Sequence, residues 1–491
     1  MGSSKLVIFF FFFFFFFFFF FSLCNSAKIG AFSSFLRARR SNPLPNSPRV
    51  TFRKEYFTQE LDHFNFNPQS FVTFQQKYLV NDTYWGGKSA PIFVYTGNEG
   101  DIELFAENTG FMWEIAPQFQ AMLVFIEHRY YGESIPFGGR NEAYSNASTL
   151  GYLTSTQAIA DYATLIVDLK KNLSSEGHVV VFGGSYGGML AAWFRLKYPH
   201  IAVGALASSA PILGFDDIAS PNFFYDIVSN DYKSESENCY EVIKNSWEKM
   251  EKALYEKGGP EKLEKEFKMC ADDEYGVEGM VENALVYAAM TDYPTVSNFL
   301  TPLPANPVKK MCEAIDNPMT GTDAFARLYG AMNIYYNYTG DLKCLTAYAN
   351  DTYGMNEGWN WQACTEILLS YGVSNHSMFP SYPYNVTDRA LSCQHAYGVP
   401  PRRHWMSTEF GGFGIKRALK HFASNIIFFN GLRDPWSGGG VLKSLSKSLI
   451  AIVAPKGAHH VDLRFSTKED PQWLKEVRER EIQIISKWLR E

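Results

Sequence analysis

The chain has 491 residues, 46% of them hydrophobic and 16% aromatic, and a formal net charge of −6. That is enough apolar material for a substantial core, arranged as one large domain or a few smaller ones. A mildly acidic chain with no lysine/arginine stripe creates no field that gathers nucleic acid, which excludes a phosphate-reading module.

Lys5 precedes an apolar run from Leu6 to Leu23 that contains the phenylalanine tract Phe9 to Phe21, and the small or polar residues Cys24, Asn25, Ser26 and Ala27 follow it. A positive residue, an apolar stretch and a small-residue exit describe a secretory signal peptide over 1–27. A retained signal anchor is the competing reading, because the run is long enough to span a bilayer. Residues 28–50, with Arg37 to Arg40 and Pro43 to Pro48, read as a flexible leader or propeptide.

Short apolar runs at 71–79, 91–96 and 121–127 have strand character, and Thr154 to Leu173 repeats its apolar residues at helical spacing. The runs 178–182 (HVVVF) and 201–207 (IAVGALA) are strands with both faces apolar. The pattern then breaks. Cys239, Cys270, Cys312, Cys344, Cys364 and Cys393 all fall in the stretch that follows, and it resumes with strands at 424–430 and 449–454 and an amphipathic helix from Trp473 to Leu489. The simplest account is an α/β domain in two parts, 51–212 and 406–491, with a helical, disulfide-stapled insertion over 213–405. Closure entropy grows slowly with loop length, so an insertion of that size is tolerable.

An even cysteine count in an oxidising compartment implies disulfides, but spacing does not choose the pairing. Asn-X-Ser/Thr sequons at Asn81, Asn146, Asn172, Asn337, Asn350, Asn375 and Asn385 are glycosylation candidates on the same secretory route, which leads to the vacuole or lysosome or to the extracellular space.

The sharpest local signal is Gly183-Gly184-Ser185-Tyr186-Gly187-Gly188, placed between the strand HVVVF and a helical stretch from Met189 to Tyr198. A Gly-X-Ser-X-Gly motif on a strand-to-helix turn projects its serine from the sheet edge, beside amide donors at the helix N-terminus. A serine hydroxyl needs a base, and the base needs an orienting carboxylate. Asp434 stands at the end of the strand 424–430, and His459 and His460 follow the strand 449–454. Strand ends in an open α/β sheet converge, so these distant residues can meet at Ser185. Asp434 could instead serve only the turn with Pro435, and adjacency leaves His459 and His460 equal claimants to the base. A metal reading of the two histidines with Asp462 has no defensible three-ligand spacing, and the chemistry requires no cofactor or metal.

The oxyanion hole is expected from the Tyr186 backbone N–H and a donor from the loop Thr96 to Gly100, with Asn98 as candidate. Glu99 beside it would bind a substrate ammonium if accessible, or an internal arginine if not. His128 reads as positioning the Arg129-Tyr130-Tyr131 loop, with a structural ion network of Glu127, His128 and Arg129 as the alternative.

Taken in order, YTGNEG (Tyr95 to Gly100), EHRYYG (Glu127 to Gly132), GGSYGGMLAAW (Gly183 to Trp193), DPWSGGG (Asp434 to Gly440) and GAHHVDLR (Gly457 to Arg464) resemble the lysosomal Pro-Xaa carboxypeptidase and dipeptidyl peptidase II family of serine peptidases. The resemblance runs from about residue 50 to 490. It implies an α/β-hydrolase with a helical cap inserted between nucleophile and acid, and a triad of Ser185, Asp434 and His459, with His460 and Arg464 behind the base. It also implies work in acidic compartments, where the site must keep His459 neutral enough to act, aided by Arg464. The implied substrates are proline-containing peptides, either losing the residue after a penultimate proline or, on the alternative branch, releasing an N-terminal X-Pro dipeptide. Either mode needs an apolar pocket for the pyrrolidine ring. Trp359, Trp361 and the neighbouring Tyr353 and Met355, with Trp436, are candidate walls, against the alternative that they fill the cap core. A lipase or esterase could use the same triad, and a catalytically silent secreted binding protein would account for sequons and disulfides but not for the converging motifs. A homodimer is compatible with this reading.

Overall fold

The computed structural model describes residues 50–270, 276–321, 323–346 and 355–491. The signal peptide, most of the leader, Asn350 and Tyr353 lie outside the described residues. Among those described, no helix is long and apolar enough to cross a membrane.

A single eight-stranded sheet organises the molecule: β1 (Arg53–Glu60), β2 (Thr73–Asn81), β3 (Ile92–Thr96), β4 (Met122–Ile126), β5 (Val179–Gly184), β6 (Ala202–Ser208), β7 (Ile426–Gly431) and β8 (Leu449–Ala454), in the order β1-β2-β4-β3-β5-β6-β7-β8. β2 is antiparallel to β1 and to β4, and every other pair is parallel. The central strands β3, β4, β5 and β7 are buried at every residue, which is why they read as unbroken apolar runs. β1 is the strand the sequence pattern misses. It buries only Gln59 of its RKEYFTQE, so an edge strand with charged outward residues hides its period.

The registers put Gly184 opposite Ser208, Ser208 opposite Phe429 and Gly431 opposite Ala454, so the carboxyl ends of β5 to β8 form one rim. The chain reverses its direction of travel across the sheet at β3, with β4 on one side and β5 on the other. The loops after β3 and β5 therefore flank the crevice where open α/β sheets bind ligands. Helix α1 (Ser155–Leu173), helix α2 (Tyr186–Lys197) and the terminal helix Gln472–Trp488 cover the sheet, the last so closely that a Cβ on Gly204 of β6 would sit 2.2 Å from the Trp488 ring.

Between β6 and β7 lies the helical cap. It includes α3 (Phe223–Glu235), α4 (Glu237–Leu254), α5 (Gly276–Met290), α6 (Pro307–Asp316), α7 (Ala324–Tyr336), α8 (Met355–Thr365) and α9 (Val386–Tyr397). The three disulfides, Cys239–Cys312, Cys270–Cys344 and Cys364–Cys393, join cap to cap. The cap nevertheless shares one core with the sheet: Phe224 of α3 packs edge-on against Trp436 at 4.8 Å, on the loop after β7.

Charged residues also sit inside this core. Lys77 of β2 is fully buried, and its ammonium lies 2.9 Å from Asp101, 3.2 Å from Glu127, 2.9 Å from Glu133 and 3.3 Å from Glu103. Burial opposes its charge, but the surrounding carboxylates outweigh burial and raise its pKa. Glu127 also accepts the Ile102 N–H at 3.2 Å, so the cluster anchors the backbone just past the β3 loop. Glu127 and Arg129 thus do enter ion networks, but separate ones: Arg129 makes a two-pronged contact with Asp161 at 2.7 and 2.6 Å.

Replacing Lys77 by Met leaves Asp101, Glu127 and Glu133 facing one another without a cation, and only Glu103 keeps one, Lys54 at 2.7 Å. Such an uncompensated buried charge costs about 3–5 kcal/mol, and urea unfolding at neutral pH is expected to show a loss of that size.

Candidate active site

Ser185 links the end of β5 to α2 with φ 58° and ψ −128°, outside the regions that side-chain-bearing residues favour. Such a conformation costs about 1–3 kcal/mol and persists only where the surroundings enforce it. They do. The Ser185 N–H donates to Ser208 O at 2.9 Å on the neighbouring strand, and its carbonyl accepts the Met189 N–H at 3.0 Å to start the helix. Space is as tight as the backbone: a Cβ on Gly183 would lie 2.1 Å from Gly187 O, and one on Gly187 would lie 2.2 Å from Asn98 Oδ1. The serine itself is only half-buried, on the rim.

Asp434 leaves the end of β7 fully buried. Its Oδ1 accepts the Trp436 N–H at 3.0 Å, and its Oδ2 lies 2.9 Å from His459 Nδ1. A carboxylate in that place holds the proton on Nδ1 and leaves Nε2 to accept another. The adjacent histidines part company through the backbone. His460 takes a left-handed φ of 37° and donates its N–H to Ser209 Oγ at 2.8 Å. Its ring lies against Gly184, where a Cβ would approach to 3.0 Å, and meets Phe299 edge-on at 5.0 Å. His459 faces Asp434; His460 packs against the serine turn. Burial, then the neighbouring His459 and Arg464, push the His460 pKa well below the usual imidazole range. Arg464 donates to Asn108 Oδ1 at 2.6 Å and lies over the Phe299 ring at 4.7 Å.

Opposite the serine turn, Asn98 braces the β3 loop: its amide donates to Gly184 O at 2.7 Å while its Oδ1 accepts the Tyr95 hydroxyl at 2.9 Å. With both ends engaged, the Asn98 side chain holds the β3 loop against the serine turn. Glu99 is 3% exposed, and its Oε2 has no hydrogen-bond partner. Among the described residues no cation lies within ion-pair distance of it, so the internal arginine weighed from the sequence does not stand there. Burial, opposed by its own N–H and the Asn98 amide, pushes its pKa up to about 7.

The cap reaches this centre through a residue that sequence reasoning missed. Gln362 of α8, fully buried, donates to the Tyr186 hydroxyl at 2.8 Å and accepts from the Tyr131 hydroxyl at 2.7 Å. His128 meets the same Tyr186 hydroxyl through Nε2 at 3.0 Å, and burial holds its pKa down to about 4. One signal could have found Gln362: it is a polar side chain within the aromatic run WNWQAC. Trp359 stands 5.4 Å from the Tyr186 ring and remains partly exposed. Trp361 is 5% exposed and packs into a separate cluster with Tyr130, Tyr131 and Leu150, while Trp436 is held among Phe224 and Tyr371. Among the sequons, Asn146, Asn172, Asn375 and Asn385 are exposed and Asn81 and Asn337 half-buried. Among the described residues, no group of His, Cys, Asp or Glu side chains is arranged to hold a metal ion.

A model of the serine carboxypeptidase S28 family matches residues 59–481. The chain is 43% identical over 475 residues to the lysosomal Pro-X carboxypeptidase of Bos taurus, covering 93% of both chains, and 41% identical over 471 residues to that of Homo sapiens, again covering 93% of both. It is 37% identical over 470 residues to the prolyl carboxy peptidase like protein 5 of Caenorhabditis elegans, covering 90% of this chain and 91% of that one.

Beneath the histidine loop, Asp462 accepts the Ser208 hydroxyl at 2.5 Å and faces Glu481 of the terminal helix, both fully buried. Two carboxyls so placed need a proton between them. Burial raises Asp462 to about 7, and burial together with the Asp462 charge raises Glu481 well above its usual range. Raised carboxyl pKa values mean that the folded state binds protons the unfolded state has released. Stability is therefore full below the unfolded values near ~4 and falls as pH rises through ~7. Asp462→Asn is expected to recover about 4 kcal/mol of the stability lost between pH 4 and 8, read as a flatter dependence of the Tm on pH.

Proposed function

The chain belongs to the serine carboxypeptidase S28 family, and we propose that it hydrolyses peptides next to proline, releasing the C-terminal residue that follows a penultimate proline. The observation that carries this reading is the buried Asp434–His459 hydrogen bond, set on the same rim as the strained Ser185 turn. In this reading Ser185 Oγ attacks the prolyl carbonyl carbon and its proton passes to His459 Nε2. Asp434 orients the ring and stabilises the imidazolium. The tetrahedral oxygen is held by the backbone N–H groups of Tyr186 and Asn98. His459 then delivers the proton to the departing amine, the C–N bond breaks, and water taken through the same base frees the prolyl acyl group from the serine.

Specificity for proline asks for an apolar slot sized for a pyrrolidine ring. Trp359, partly exposed against the Tyr186 ring, is better placed for that wall than Trp361, which is packed within the cap. Glu99 bears on the direction of cleavage. An ammonium anchor must be ionised, yet burial pushes this carboxyl up to about 7. In acid it is neutral and can donate a hydrogen bond, which favours a peptide's carboxyl end over its amino end. The dipeptidyl peptidase alternative regains an anion there only toward neutral pH.

The same proposal covers location and assembly. Three disulfides and the sequons that lie on the surface support passage through the secretory pathway to an acidic lumen, as in the relatives named lysosomal. A homodimer is included in it, to be read from light scattering.

Two peptides test class and direction together, one N-blocked with a penultimate proline and one with a free N-terminus and proline second. Mass spectrometry near pH 5 is expected to show the first losing its last residue. Release of a dipeptide from the second alone would reverse the direction, and cleavage of neither beside rapid turnover of acyl esters would point to an esterase. Ser185→Ala is expected to abolish fluorophosphonate labelling and to lower kcat/KM by at least ~10⁴-fold. The melting transition should barely move, because alanine meets φ 58° with the same strain as serine.

A further inference from the structure

Arg433 immediately precedes the Asp434 carboxylate but sends its side chain the other way, into the cap. Its backbone N–H donates to Gly457 O at 3.0 Å, which ties the loop after β7 to the histidine loop. Its guanidinium meets three cap carboxyls: Asp292 at 2.5 Å, Glu235 at 2.7 Å and Asp231 at 3.4 Å. Asp231 and Glu235 lie on α3, and Asp292 follows α5 while also accepting the Val308 N–H at 3.1 Å. The segment carrying Asp292 grips the histidine as well. Met290 O accepts the His459 N–H at 3.0 Å, and the Tyr293 hydroxyl donates to His459 O at 2.9 Å. Residues 290–293 of the cap therefore hold the Asp434–His459 pair from both sides, through Arg433 and through the His459 backbone.

The charges in this pocket do not balance. One guanidinium faces three carboxyls, two of them, Asp231 and Asp292, almost fully buried, and neither Asp231 oxygen has a hydrogen bond. The remaining titratable neighbour is the buried Tyr232 phenol of α3, which contributes no positive charge, and among the described residues no second cation pairs with the cluster.

We propose that Arg433 is a positioning residue, gripped by the three-carboxyl pocket of the cap so as to align Asp434 and His459, and that this grip is firmer in acid than at neutral pH. The inference rests on reading Asp434 and His459 as acid and base. Burial first, and then the charge of Asp292, raise the Asp231 pKa well above the carboxylate range; burial raises Asp292 to about 6. Both shifts have the same sign. The folded state holds protons that the unfolded state gives up near ~4, so the cohesion of the pocket is complete below that value and is lost as pH rises through 6 and beyond.

The test uses the full-length protein with Asp231→Asn, which removes one negative charge at constant shape. Two quantities are measured at pH 5 and pH 7: the Tm, and the rate of fluorophosphonate labelling of Ser185, which needs no peptide substrate. The variant is expected to raise the pH 7 to pH 5 ratio of labelling rates about five-fold and to shrink the drop in Tm between the two pH values. Arg433→Met is expected to lower kcat on the cleaved peptide at pH 5 with KM little changed, and Arg433→Lys to restore part of the loss. Asp231→Asn curves that run parallel to the parent in both Tm and labelling would overturn the inference. Absence of peptide turnover beside a flattened Tm profile would instead count against the substrate reading and leave the pocket standing.

Discussion

A serine held at a left-handed backbone angle governs the rest of the site. The turn at Ser185 forbids side chains on Gly183 and Gly187, and it brings the Asn98 brace to within hydrogen-bond distance of Gly184. Two loops from the sheet's switch point are thereby locked face to face, one carrying the Ser185 hydroxyl and the other braced by the Asn98 side chain. The strain is offset by what surrounds it, namely the ladder bond to Ser208, the helix that starts at Tyr186, and the buried Lys77 cluster behind the β3 loop. Because each of these belongs to the fold rather than to any ligand, the pocket is preformed, as electrostatic catalysis requires.

The cap completes what the sheet begins. It touches the serine turn through Gln362 and Tyr186, the histidine loop through Met290 and Tyr293, and the acid loop through Arg433 and the Phe224–Trp436 contact. These contacts explain why sheet and cap share one apolar core although the disulfides stay within the cap.

Much of this was legible in the sequence, for identifiable reasons. Strands buried on both faces announce themselves as apolar runs, so β3 to β8 and the helices around Ser185 fall within a few residues of where periodicity puts them. β1 escaped because its outward positions are charged. The choice between His459 and His460 could not be made from spacing, since it is decided by the left-handed backbone at His460, which turns the second ring onto Gly184. Gln362, Asp231 and the Asp462–Glu481 pair escaped for another reason. Each is an ordinary polar residue on a helix or loop, and only tertiary packing reveals that it is buried against a partner far away in the chain.

The carboxyls enclosed at Glu99, Asp231, Asp292, Asp462 and Glu481 carry an implication for the life history of the molecule. A chain assembled along the secretory route folds first in near-neutral surroundings, where these groups are asked to ionise inside a dry interior. It is then at its least cohesive. On the proposed route to an acidic lumen, the destination would supply the protons that these groups lack at neutral pH.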